Sequence, residues 1–363
     1  MSVKELEPFT AEQVERGARY HRPRYLVLVA DLALGLAVLA AFAWWRPDLG
    51  LRWWLEAPAV VAVVLVVSSV VTLPLSWWSG YVHERRWELS TQTPRGWLAD
   101  RVKGLAVSLV LGAAAATGLV ALARWLPTWW PLVAAVAAAA LVLLLGFLAP
   151  VVLEPLFNRF RPLDDEALRG ALLELAEAAG APVRDVLVAD ASRRTRKANA
   201  YVSGIGRTRR VVLYDTFLGA ADAGAVRVVA AHELAHRRQR HVVKLTAVGM
   251  AGAAAGIGVV WALLGERAAD PDWLPVVLLV LALLQLLATP ALAWLSRRYE
   301  READRIALEL TRDPAAFERA FVTLADTNVA DLDPPWPVRA LLLTHPTLPE
   351  RIRAGRAFGS VAG

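Results

Sequence analysis

The chain has 363 residues, 56% of them hydrophobic, and a mean hydropathy of +0.41. Soluble domains are about 45–50% apolar, so this composition excludes an ordinary water-soluble globule and points to a membrane. The net charge of +6 gathers in basic stretches beside apolar segments, where a lipid-facing surface accounts for it without a nucleic-acid partner, and the lack of cysteine removes any disulfide framework or thiolate metal site.

From the N-terminus, a basic tail with Lys4, Arg16, Arg19, Arg22 and Arg24 leads into an apolar segment at 25–45, YLVLVADLALGLAVLAAFAWW. Ala41-Phe42-Ala43 resembles a signal-cleavage site, but the segment exceeds the apolar core of about 7–15 residues typical of signal peptides, so it is expected to stay as a span. Asp31 within it is expected to snorkel toward Arg22 and Arg24. Further segments at 57–77, 103–124, 130–152, 243–264 and 273–295 also reach the length of about 20 residues that a crossing needs. Tryptophans such as Trp44, Trp45, Trp53, Trp54, Trp129, Trp130, Trp261 and Trp273 mark their ends as an aromatic belt. Arg85, Arg86, Arg95, Arg101 and Lys103 crowd the second connection, whereas the alternate connections hold few bases. The positive-inside rule then predicts a multi-pass protein of the plasma (inner) membrane, in contact with its lipids. Both termini and the loop at 154–242 would face the cytoplasm.

That loop opens with a helical leucine pattern capped by Asp164 or Asp165 and stopped by Gly180 and Pro182. Three strand-like runs follow, VRDVLVAD, NAYVSGI and RRVVLYD, the last two joined across a turn at Gly206-Arg207-Thr208. Gly204 and Gly206 make no dinucleotide fingerprint, because no helix opens after them. From about Asp222 a helix is predicted to run through VAAHELAHRRQRH into the fifth span. Arg237-Arg238-Gln239-Arg240 reads as a membrane-surface anchor.

In that helix His232 and His236 stand at i and i+4, on one face, and can share an ion. Neutral imidazoles ligate zinc, and Glu233, one residue on, lies where its carboxylate takes a proton from an activated water. Catalytic zinc takes three protein ligands. Spans five and six form a hairpin, so the segment SRRYEREADRIALEL returns to the same membrane face. Glu300 is read there as the third ligand, Asp304 as the carboxylate orienting a ligating histidine, and Glu302 as a surface charge off that face.

With these residues the chain resembles the CAAX prenyl protease family of integral-membrane zinc endopeptidases. The match runs through Pro155-Leu156-Phe157, Ser192-Arg193-Arg194, Asn199-Ala200-Tyr201, Val212 to Thr216, His232 to His236, His241, Ser296 to Glu300, Ala303-Asp304 and His345-Pro346. Glu84 to Gln92, Asp100 and Lys103 resemble the family's second cytosolic connection. The resemblance implies a mainly α protein whose spans, about six here against seven in eukaryotic members, enclose a chamber, with a small α/β protease region and a short sheet. It implies Asn199 on an edge strand that binds substrate backbone, His345 at the oxyanion, and Arg351 steadying the substrate or the site. Residues 1–153 would form the tail and four spans, and 154–363 a zinc metalloprotease domain interrupted by the hairpin at about 243–295. The expected cofactor is one zinc ion, and the expected substrate a peptide or protein, lipid-modified or membrane-associated. Alternatives are a membrane quality-control protease of the HtpX type and a silent zinc-binding scaffold. A site-2-type intramembrane protease fits poorly, because arginines flank the motif.

Overall fold

A computed structural model describes residues 6–149, 152, 154–204 and 209–362. Among the described residues, six helices are long and apolar enough to cross a membrane. They include α1 (Ala11–Trp45) and α2 (Trp53–Arg86, through a π-helical turn at Trp78–Val82). After them come α3 (Pro94–Trp125) and α4 (Trp130–Leu148). Their start signals are legible: Thr10 forms a capping box with Gln13, and Thr93 caps α3 just ahead of Pro94. The expected turn at Gly206-Arg207-Thr208 lies outside the described residues.

The extramembrane part begins with β1 (Phe160–Pro162), α5 (Glu166–Ala178), β2 (Asp185–Ala189), β3 (Ala200–Ser203) and β4 (Arg210–Tyr214). Asp165 caps α5 by accepting a hydrogen bond from the Leu168 amide, and Gly180, at φ +66°, ends it. The strands lie in the order β1-β2-β4-β3, with β2 parallel to β4 and the other pairings antiparallel. Only the two inner strands carry runs of Val and Leu, and these are buried: Val186, Val188, Val211, Val212 and Leu213. β1, with Pro162, sits at one edge and was not legible as a strand. β3 sits at the other edge.

A short α6 (Asp215–Ala220) leads to α7 (Ala223–Arg238), capped by Asp222. The fifth and sixth spans are α8 (His241–Leu264) and α9 (Leu274–Thr311), followed by α10 (Pro314–Asn328), α11 (Trp336–Leu341) and α12 (Leu348–Ala362). α7 lies between sheet and bundle. Ala230, Ala231 and Leu234 bury its face in a core with Leu172, Leu213, Phe217, Phe317, Phe321 and Ile352.

Among the described residues the neighbours around the membrane run α1, α2, α3, α4, α8, α9 and back to α1, so these six spans close a ring. Only 6–17% of each apolar window is buried inside the protein, leaving the rest to lipid and to the inside of the ring. Exposed Trp44, Trp45, Trp54, Trp125, Trp129 and Trp261 mark the spans' ends on one face. Asp31 departs from expectation: Arg24 bonds Ser79 O and Glu84 instead, and among the described residues Asp31 has no partner, with Oδ1 buried and unbonded. Glu84 outcompetes it because it offers Arg24 a site shared with Tyr20 and Lys197.

Candidate active site

Residues from two elements meet at the membrane-proximal end of the core. α7 presents His232 and His236 from one face, and α9, continuing past its apolar stretch, packs its Glu300–Asp304 face against them. Glu300 and Asp304 are 5% and 3% exposed, a depth at which carboxylates are rare unless paired.

Nε2 of His232 and Nε2 of His236 stand 3.1 Å apart. Oε2 of Glu300 lies 3.2 Å from the first and Oε1 lies 3.2 Å from the second. Donors around a tetrahedral zinc at about 2.0–2.1 Å are separated by about 3.3 Å, so the spacing fits a shared ion. Ligand atoms from the three side chains all lie within 4.8 Å of one another. The orientation agrees as well. Oε2 of Glu300 is buried with no hydrogen bond despite its nearness to His232, which means that lone pairs face one another, the arrangement a cation reconciles.

The surroundings of this triad are ordered. Oδ1 of Asp304 lies 2.9 Å from Nδ1 of His232. Arg351, itself 7% exposed, donates from Nε to Oδ2 of Asp304 at 2.8 Å and from Nη2 to Oδ1, while its guanidinium stacks 4.0 Å from the Phe321 ring centroid. Burial and the Arg351 charge push the His232 imidazole down. The neighbouring carboxylates of Asp304 and Glu300 more than offset both and raise it to about 9. The two acids lie on opposite ring nitrogens, Asp304 at Nδ1 and Glu300 at Nε2. Burial raises the Glu233 carboxyl against the pull of both histidines.

A cleft of about 480 Å³ opens beside the triad, lined among others by Asn199, His232, Glu233, His345 and Arg351. Asn199 immediately precedes the edge strand β3. Its carbonyl accepts from the Tyr214 amide at 3.0 Å and its side-chain oxygen from the Ala200 amide at 2.9 Å. His345, on the exposed loop between α11 and α12, brings Nε2 to 3.3 Å from Oε1 of Glu300. Its ring is lowered by burial in the cleft. Arg351 makes its bonds on the side of Asp304 and His232.

Two readings are corrected. Glu302 is not a free surface charge: its Oε2 lies 3.2 Å from Nε2 of His241, because the helical turn that hides Glu300 also brings residue 302 alongside the first turn of α8. Arg237 leaves the surface anchor and donates to Gly204 O at 3.2 Å, tying the end of β3 to α7. The sequence named His241 only within a motif and gave it no role.

The sequence matches the family model for peptidase family M48 over residues 162–357. It also matches that for the CAAX prenyl protease N-terminal region, described as five membrane helices, over 27–159. The described residues place four spans in that interval. The uncharacterized metalloprotease YhfN of Bacillus subtilis is 33% identical over 320 residues, covering 82% of this chain and 73% of that protein. The CAAX prenyl protease 1 homolog of Arabidopsis thaliana is 28% identical over 313 residues, covering 83% and 73%. The crystal structure of Ste24p from S. mikatae superposes with a TM-score of 0.81 at 20% identity, over 98% of this chain and 91% of that one, and shares its fold.

Proposed function

The chain belongs to peptidase family M48 and is a multi-pass membrane metalloprotease, and from that premise we propose that it hydrolyses peptide bonds with one zinc ion held by His232, His236 and Glu300 and with Glu233 as general base. The observation that carries the reading is the convergence of those three ligands from two elements, with Glu233 in the adjoining cleft. A zinc ion held there supplies a Lewis acid for the scissile carbonyl and brings the pKa of a bound water toward about 7.

The chain's own groups do the rest. Glu233 takes the proton of the attacking water and passes it to the leaving amine, a service for which a carboxyl raised above its ordinary range is suited. His345 donates a hydrogen bond to the oxyanion from the cleft wall. The outer edge of β3, beginning at Asn199, receives substrate backbone by strand addition. Asp304 fixes the tautomer of His232, and Arg351 holds Asp304 by two hydrogen bonds, so Arg351 acts on the site more than on the substrate.

We place the active region and both termini in the cytoplasm, on the arginine and lysine distribution. As substrate we favour a peptide with a lipid-modified C-terminus, on the likeness to proteins named CAAX prenyl protease 1 homolog. The quality-control alternative is separated by substrate.

Purified enzyme is expected to contain one zinc per chain and to cleave a prenylated peptide in preference to its unmodified form or an unfolded membrane protein. Glu233→Gln is expected to keep the zinc and lose about 10²–10⁴-fold in kcat. An active Glu233→Gln enzyme would remove the assigned base.

A further inference from the structure

One histidine and one glutamate beside the triad have no part in the mechanism so far. α7 ends at Arg238, and Arg240 adopts left-handed backbone angles, with φ 55°, just before α8 starts at His241. This break folds the first turn of α8 back beneath α7. Two imidazoles five positions apart therefore face each other, Nδ1 of His241 lying 3.1 Å from Nδ1 of His236. On its other side His241 meets Oε2 of Glu302 at 3.2 Å. The His241 side chain is 1% exposed and its ring lies flat on Tyr299, with centroids 4.2 Å apart.

Counting hydrogens gives the contacts a direction. Two ring nitrogens at this separation share one hydrogen, since two bare lone pairs repel and two N–H groups collide. His236 turns Nε2 toward Glu300 and His232, the side on which a zinc ion takes a lone pair, so its hydrogen resides on Nδ1. It donates to His241, whose own hydrogen is thereby placed on Nε2 and donated to Glu302. The order is fixed: His236 to His241 to Glu302.

We propose that His241 and Glu302 are positioning residues acting in series, setting the tautomer and ring angle of His236 as Asp304 does directly for His232. The proposal rests on the zinc reading above. One ligand is then steadied by a carboxylate in contact, the other by a carboxylate acting through an imidazole. The bland alternative is that His241 merely fills space against Tyr299.

The test measures zinc affinity of the purified full-length protein by competition with a chromogenic chelator, beside thermal unfolding of the metal-free form. His241→Phe keeps the stacking ring and removes the acceptor; Glu302→Leu removes the end of the series at a partly exposed position. Each is expected to weaken zinc binding by about 10–100-fold, the usual loss when a ligand's hydrogen-bond partner is removed. The double variant is expected to be no weaker than His241→Phe alone. His241→Gln, whose amide oxygen accepts from His236, is expected to recover most of the loss. Wild-type affinity in His241→Phe, losses that multiply in the double variant, or a His241→Gln no better than His241→Phe would each overturn the relay. His236→Ala and Glu300→Ala serve as controls: if they bind zinc poorly while His241→Phe binds normally, only the relay fails. If they too bind as wild type, the zinc site itself is wrong.

Discussion

His345 shows how a side chain far along the sequence enters a site. It stands 45 positions after Glu300, on a loop with no periodicity to announce it, and reaches the cleft because α11 and the following turn are held against α9. Arg297 does the holding, donating to the carbonyls of Ala340 and Leu343. Under the proposed mechanism, His345→Ala removes one oxyanion donor and is expected to lower kcat by about 10²–10³-fold with little change in KM, measured on a short fluorogenic peptide. A change confined to KM would make His345 a substrate contact instead. The histidine pair and Glu300 were legible because helical spacing and hairpin topology leave few alternatives. The Glu302–His241 contact was not, since it depends on the left-handed break at Arg240, which no local signal marks.

At the level of elements, the approach to the edge strand is clamped from several directions. Asp215 receives Ser192 by its amide and hydroxyl, Thr216 Oγ1 donates to Lys197 O at 2.7 Å, and Arg194 reaches Asp100 at the start of α3 at 2.9 Å. Lys197, two residues before Asn199, extends its ammonium to within 2.8 Å of Glu84 on α2, where Tyr20 and Arg24 of α1 also converge. Burial lowers the Lys197 ammonium, and Glu84 counters that pull. Glu84→Leu strands that half-buried charge and is expected to cost about 2 kcal/mol. The loss should appear as a lower melting temperature in detergent, with KM raised more than kcat is lowered if the edge strand binds substrate as proposed, because that strand loosens while the proposed metal site is untouched. These motif residues could be matched by resemblance, but their partners lie in segments far apart in sequence, so their mechanical role needed coordinates.

Taken as one object, the molecule sets a soluble-looking core on a ring of spans. The spans and the three principal strands were legible because each is long or strongly periodic; β1 is too short and too polar to signal itself. Among the described residues the ring closes with six members, α8 and α9 meeting on one side and α3 and α4 on another. The proposed orientation is open to a direct check, since the chain has no cysteine. Arg52→Cys in intact cells is expected to react with a membrane-impermeant maleimide, and Glu12→Cys only after permeabilisation. The reverse pattern would invert the topology.

The 38 residues of α9 form one continuous rod of about 57 Å, well beyond a hydrocarbon thickness of about 30 Å, and Glu300 rides on its protruding end. Its partners His232 and His236 ride instead on a helix fixed to the sheet. Under the proposed function, bilayer thickness is expected to bear on the site: lipids too thin or too thick would tilt the rod and load the contact between the carboxylate and the imidazoles. Reconstituted into vesicles of graded acyl length, the enzyme is expected to show a single optimum in kcat, with zinc loss at the extremes. A flat response would mean that the rod flexes, most readily at Pro290, before its tip can move.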